Sequence, residues 1–244
     1  MSDFDRNYAA ARGFGADRAV AIDAGLRAHM IRVYNYMAGG VALTGVVAWL
    51  TYQYTLSNPA FAQALFGSPL VYVLMLAPLA LVFFLSFRIA HLQASTARLL
   101  FFVYAALLGL SLSTIFMAYT HASITRVFFV TAASFGALSL WGYTTQRNLD
   151  GMGSFMIMGL FGIIIASLVN LFLKSTGLDW TISVLGVLIF AGLTAWDTQQ
   201  IKEFYSPMDD GTVAGRKVVM GALKLYLDFI NMFLFLLRLM GDRR

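Results

Sequence analysis

Two aspartates stand where acids are expensive. The chain holds eleven Asp and one Glu, and nine of the Asp and the Glu fall in tails, polar connections or the ends of apolar stretches. Asp197 and Asp228 alone lie well inside such stretches, in Ala195-Trp196-Asp197-Thr198-Gln199-Gln200-Ile201 and Leu225-Tyr226-Leu227-Asp228-Phe229-Ile230-Asn231-Met232. At bilayer depth an acid costs about 2.5–3.5 kcal/mol on insertion scales, so it faces the bundle interior and has a partner. Two close carboxylates in low dielectric cannot both ionise cheaply. They share a proton or hold a cation between them, which makes such a pair a sensor of both.

Calcium takes six to eight oxygen ligands. Two carboxylates offer at most four, so Asn231, Thr198, carbonyls and water have to supply the rest. That composition suits weak, transient binding along a route rather than storage. Two basic residues bear on the pair. Arg88, in Phe87-Arg88-Ile89-Ala90-His91, reads either as an interfacial anchor or as a lid whose guanidinium forks onto one of the aspartates. Lys224, four residues before Asp228 on one helical face, is placed to neutralise it alone. Other chemistries find no support. Without cysteine there is no thiolate catalysis, disulfide or Cys-ligated metal. His29, His91 and His121 are far apart in sequence and form no H-x-x-x-H pair. The glycine-containing motif of intramembrane aspartyl proteases is missing, as is G-x-S-x-G. The reading is therefore of a protein that is not an enzyme and carries no cofactor.

The elements that must position these residues are membrane spans. Of 244 residues, 59% are hydrophobic and 12% charged, with a mean hydropathy of +0.74. A soluble domain is about 45–50% apolar and about 25% charged, so a soluble enzyme and a nucleic-acid-binding module are both excluded. Seven apolar stretches follow a polar segment 1–33: Tyr34–Tyr54, Pro69–Ala90, Leu99–Tyr119, Val127–Tyr143, Phe155–Phe172, Thr181–Ile201 and Val218–Met240. A spanning helix needs about 20 residues, which makes the fourth and fifth short, at about 17–18. The chain thus divides into a polar N-tail 1–33, a seven-helix domain 34–240 and a basic C-tail 241–244. Within the tail, Ile22, Leu26, Met30 and Val33 recur at helical spacing, which predicts an interfacial helix over 18–33. Glycines and serines inside the spans, among them Gly45, Gly109, Ser111, Gly136, Gly162 and Gly186, predict close helix packing.

Positive charge sets the orientation. One face receives eleven Lys and Arg, from the N-tail and the second, fourth and sixth connections, and the other receives five. That predicts a cytoplasmic N-terminus. Arg238, Arg243 and Arg244 dissent, which a shortened or re-entrant final helix would resolve. The sixth span runs toward the cytoplasm and the seventh leaves it, so Asp197 and Asp228 reach similar depth, about 12 and 15 Å inside.

Trp196-Asp197-Thr198-Gln199, followed by Leu225-Tyr226-Leu227-Asp228-Phe229-Ile230-Asn231-Met232-Phe233 and Leu236-Leu237-Arg238, resembles the Bax inhibitor-1 family, particularly its bacterial members. The likeness spans about residues 30–240. The family has Tyr where this chain has Trp196. The resemblance implies an all-α membrane protein of seven helices, the last one central and wrapped by the other six, in a bacterial inner membrane. It implies a pH-sensitive calcium leak in which Asp197 and Asp228 sense protons and hold calcium weakly. It further implies a basic latch, matched by Arg88. Lipid, calcium and protons are then the partners. Some bacterial relatives imply a different role, as modulators of a membrane-anchored AAA+ protease.

Overall fold

The computed structural model describes the backbone of residues 3–244 and the side chains of residues 23–244. Among the described residues nine α-helices follow one another: α1 Asp3–Ser57, α2 Pro59–Phe66, α3 Leu70–Arg88, α4 Ala94–Leu112, α5 Ile115–Ala118, α6 His121–Thr144, α7 Asp150–Leu173, α8 Thr176–Glu203 and α9 Gly211–Met240. Among the described residues there is no strand. Among the described residues seven segments are long and apolar enough to cross a membrane, at Asp23–Ser57, Leu70–His91, Ala94–Ala118, His121–Thr144, Asp150–Leu173, Thr176–Glu203 and Gly211–Met240. The fold is an all-α membrane bundle.

Two expectations change at the level of single elements. The fourth and fifth spans are not short: each has 24 residues, about 36 Å of helix. His121, Ser123 and Arg126 at the start of α6, and Asp150, Gly151 and Ser154 at the start of α7, lower the local hydropathy without ending a helix. Thr120 caps α6 through the Ser123 amide, which lets the helix begin ahead of its apolar run. The final helix is neither shortened nor re-entrant; α9 runs unbroken over 30 residues. From Asp23 onward the polar segment continues into the first span within one helix. The part of the interfacial stripe that falls before Asp23, and the side chains of the N-tail arginines before that point, lie outside the described residues.

Helix α9 forms the core. In its most apolar 18-residue stretch 61% of residues are buried, against 6% in α7. Val219, Leu223, Tyr226, Phe229, Phe233 and Leu237 face inward, and α8, α1, α6 and α4 pack directly on the helix. The remaining two spans stand outside that ring: α3 packs on α4 and α7 on α8. The central helix is therefore walled on four sides rather than six. A less buried stripe of Met220, Lys224, Leu227, Asn231 and Leu234 looks out between α3 and α7.

Backbone polarity inside the bundle is satisfied across helices. Pro78, buried in α3, has no N–H to offer the Leu74 carbonyl one turn before it. The hydroxyl of Ser111 on α4 donates to that carbonyl, so Ser111 serves hydrogen bonding and not merely close packing. Ser111→Ala is expected to lower stability by about 1 kcal/mol, and Ser111→Thr, which keeps the hydroxyl, to recover part of that. Thermal unfolding in detergent reads the difference.

The glycines divide. A Cβ at Gly109 would meet the backbone of Thr44, and one at Gly186 the ring of Phe235. A Cβ at Gly45, Gly136 or Gly162 would meet nothing within 4 Å; Gly45 and Gly136 border clefts between helices and Gly162 is exposed.

Gly25 and His29 of α1 and the residues after α9 lie on opposite faces. Gly25 and His29 of α1 pack against Tyr205 in the α8–α9 connection. The chain after α9 pairs with the α5–α6 connection, with Thr120 N donating to Asp242 O and Arg244 N to Ala118 O, both at 3.0 Å.

Candidate functional site

Along the end of α8, successive residues of Trp196-Asp197-Thr198-Gln199-Gln200 are turned about 100° apart and meet different neighbours. The Trp196 indole donates to Asp150 Oδ1 at 3.1 Å, and Gln200 Nε2 donates to the same oxygen at 2.7 Å. Gln199 bridges the α6–α7 connection, accepting from Leu149 N at 2.8 Å and donating to Arg147 O at 2.9 Å. Lys202 Nζ donates to Tyr143 O at 2.9 Å. The connection between α6 and α7 is thus clamped to α8 around the first aspartate. Nothing in the spacing of the chain pointed to this clamp, since its loop partners are forty or more residues distant.

Thr198 is turned toward α6. Its hydroxyl hydrogen-bonds to Thr194 O at 2.8 Å and to Ser139 Oγ at 2.9 Å, and Ser139 in turn bonds the Tyr34 hydroxyl on α1. It stands apart from the acids and lines no cavity with them. One residue along an α-helix is enough for that rotation.

Asp197 and Asp228 meet. Both are buried, at 7% and 4% exposure, and their carboxyls face one another across the α8–α9 interface. They open into one cleft of about 640 Å³ between α7, α8 and α9, together with Trp196, Lys224, Leu227 and Asn231. Asn231 donates its amide to Leu227 O at 2.8 Å, which leaves its side-chain oxygen for the cleft. Leu227 and Asn231 also line a second cleft of about 550 Å³ between α3, α4 and α9. The two clefts border the same bare stripe of the central helix.

Lys224 does not pair with Asp228, as its position four residues earlier suggested. Its ammonium lies 2.9 Å from Asp197 Oδ1 on the neighbouring helix and 5.4 Å from the centre of the Trp196 ring. Side chains of a helix lean toward its N-terminus. Lys224 therefore leans away from Asp228 and reaches Asp197. Asp228 Oδ2 is left buried with no hydrogen-bond partner among the described residues.

Arg88 is remote. It is the last residue of α3 and exposed, and among the described residues it makes no ion pair. The guanidinium of Arg216 on α9 donates to Ala90 O, which sets Ala90 level with a point twelve residues, about 18 Å, before Asp228. Arg88 lies two residues deeper, and among the described residues it makes no ion pair with either acid and does not line their cleft.

Apart from Asp23, within α1, the remaining described acids sit at helix ends or connections. Asp210 caps α9 through the amides of Thr212 and Val213, Asp209 pairs with Lys217 at 2.6 Å and Asp242 with Arg126 at 3.2 Å. His29 stacks near Tyr205 and His121 among Trp49, Tyr52 and Phe116. No group of three or more His, Asp or Glu able to hold a metal occurs among the described residues.

Known proteins resemble this chain over nearly its whole length. The family model described as inhibitor of apoptosis-promoting Bax1 matches residues 26–244. An uncharacterized protein of Rickettsia prowazekii is 50% identical over 224 residues, covering 91% of this chain and 92% of its own. The inner membrane protein YbhL of Escherichia coli is 47% identical over 232 residues, covering 94% and 97%. The protein YrjE of Lactococcus lactis is 42% identical over 218 residues, covering 89% and 92%. With seven apolar helices and these relatives, the molecule is a multi-pass bacterial inner-membrane protein, and the chain belongs to the Bax inhibitor-1 family.

Proposed function

We propose that the protein is a pH-sensitive cation leak, with calcium as cargo and the Asp197–Asp228 pair as its site. One observation carries the reading: Asp228 lines a cleft together with a second carboxyl, Asp197, and its buried Oδ2 has no hydrogen-bond partner among the described residues. Such an oxygen is costly to keep in hydrocarbon, and a proton or a cation satisfies it. Protons and calcium compete for the same oxygens, so acidification lowers calcium occupancy by mass action. The protein acts without covalent chemistry and without a cofactor. Asn231 offers one further oxygen donor, and water supplies the rest of the shell, which keeps binding weak. The N-terminus is taken as cytoplasmic from the eleven-to-five distribution of Lys and Arg.

Purified protein in liposomes tests this. Calcium flux is expected from the protein alone, and it is expected to differ between a mildly acidic and a mildly alkaline buffer. A folded, reconstituted protein that passes no cation at either pH would sink the leak and leave the modulator of a membrane-anchored protease as the standing alternative.

A further inference from the structure

The acid pair already has a cation beside it. Lys224 lies one turn before Asp228, yet its ammonium sits on Asp197 and over the face of Trp196. The ring under it is fixed on two sides: Asp150 accepts from the indole N–H, and Gly153 lies against the ring so closely that a Cβ there would collide with it. The ammonium therefore rests on a carboxylate and a rigid aromatic face, the two surfaces that attract cations most in an apolar medium. Its side chain is about one-third exposed, so it borders the same cleft through which an ion would arrive.

We infer that Lys224 sets the calcium affinity of the pair: a tethered monovalent cation that holds one half of the site and keeps a divalent ion only weakly bound there. This rests on the reading of the pair as a cation site. The reason is charge and place. Two ionised carboxylates carry two negative charges, and the ammonium leaves them one. A monovalent ion, or a single shared proton, then brings the group to neutrality, whereas a divalent ion leaves it with one excess positive charge. A divalent ion must also share Asp197 with a like charge or push that charge off its ring. Asp228 alone remains fully available, and one carboxylate is a poor calcium site.

Terbium tests this on the whole chain in detergent micelles at one neutral pH. The ion takes oxygen ligands as calcium does and emits when excited through a nearby indole, a position Trp196 fills. Lys224→Met is expected to bind terbium, and calcium in competition with it, at least about tenfold more tightly, because a like charge a few ångströms away has been removed. Lys224→Gln, which retains a hydrogen-bond donor to Asp197, guards against misfolding and is expected to show the same direction. Lys224→Arg is expected to match the parent. Trp196→Phe removes the sensitised signal and so assigns it to this site. If Lys224→Met and Lys224→Gln bind as the parent does, while Asp197→Asn abolishes binding, the role of Lys224 is overturned and the cation site stands. If tighter binding is seen in a protein that passes no ion in liposomes, the role of Lys224 stands and the leak falls. If no variant binds terbium or calcium, both fall.

Discussion

Asp197→Asn is expected to destabilise the protein, whereas Asp228→Asn is expected to leave its stability unchanged or raise it. The two acids share a cleft but not a partner. Asp197 answers the Lys224 ammonium at 2.9 Å; an amide in its place leaves that cation without a counter-charge at membrane depth. Breaking a buried pair costs about 3–5 kcal/mol, and with a lysine side chain 33% exposed the figure falls to about 1–3 kcal/mol. Among the described residues Asp228 pairs with no cation, and its Oδ2 lacks a hydrogen-bond partner. The amide that Asp228→Asn introduces needs no counter-charge and can donate to Asp197. In function the two changes converge. Each removes one of the carboxyls that protons and calcium contest, so each is expected to flatten the dependence of calcium flux on pH. Thermal unfolding and liposome flux read the two halves separately. Equal destabilisation by both would mean that Lys224 relies on both carboxylates, and a pH response kept by both variants would place proton sensing elsewhere.

Gly142→Val is expected to cost about 3 kcal/mol and to lower the yield of folded protein. A Cβ at Gly142 of α6 would run into the carbonyl oxygen, carbonyl carbon and Cα of Ala195 on α8. Those are main-chain atoms, and no rotamer change relieves them. The contact lies two residues before Asp197, so a displaced α8 carries the acid away from α9 as well. Gly136→Ala on the same helix is the control. Its Cβ meets nothing within 4 Å, and stability is expected to stay within about 1 kcal/mol of the parent. Thermal unfolding of the two variants side by side decides between a packing effect and a general intolerance of α6 to side chains.

Much of this arrangement is legible in the residues. Seven runs of apolar sequence stand out because hydrocarbon leaves a helix few alternatives. Asp197 and Asp228 stand out because mid-span acids are rare, and antiparallel order of the last two spans brings them to one depth. What the chain conceals is direction. Lys224 and Asp228 at i and i+4 look like a pair, yet the tilt of side chains along α9 sends the lysine to the neighbouring helix. Thr198 adjoins Asp197 in sequence and faces another helix. Arg88 has the right charge at the end of α3, but its depth depends on how α3 is shifted along α9, which only the Arg216–Ala90 contact reveals. The starts of α6 and α7 were hidden by their polar first turns. The resemblance to the family carried the central place of α9; the open side between α3 and α7 had no signal in hydropathy, since both helices are apolar all round.

The central place of α9 also has a consequence for biosynthesis. A ribosome delivers spans in order, and the core of this bundle is the seventh. Until α9 enters, α1, α4, α6 and α8 have no common helix to pack on. Asp197 then waits in the bilayer without Lys224, its counter-charge from the next span. The earlier spans are held at that stage by their own pairings, α1 with α4 and α8 with α6 and α7, and by the clamp around Asp150. Insertion of the final helix completes the core and supplies the missing charge in one event, and the contact of Asp242 and Arg244 with the α5–α6 connection fastens it from the far side. The six-span intermediate is thus an open receptacle, and in the crowded membrane it is the state most exposed to chaperones, proteases and wrong partners.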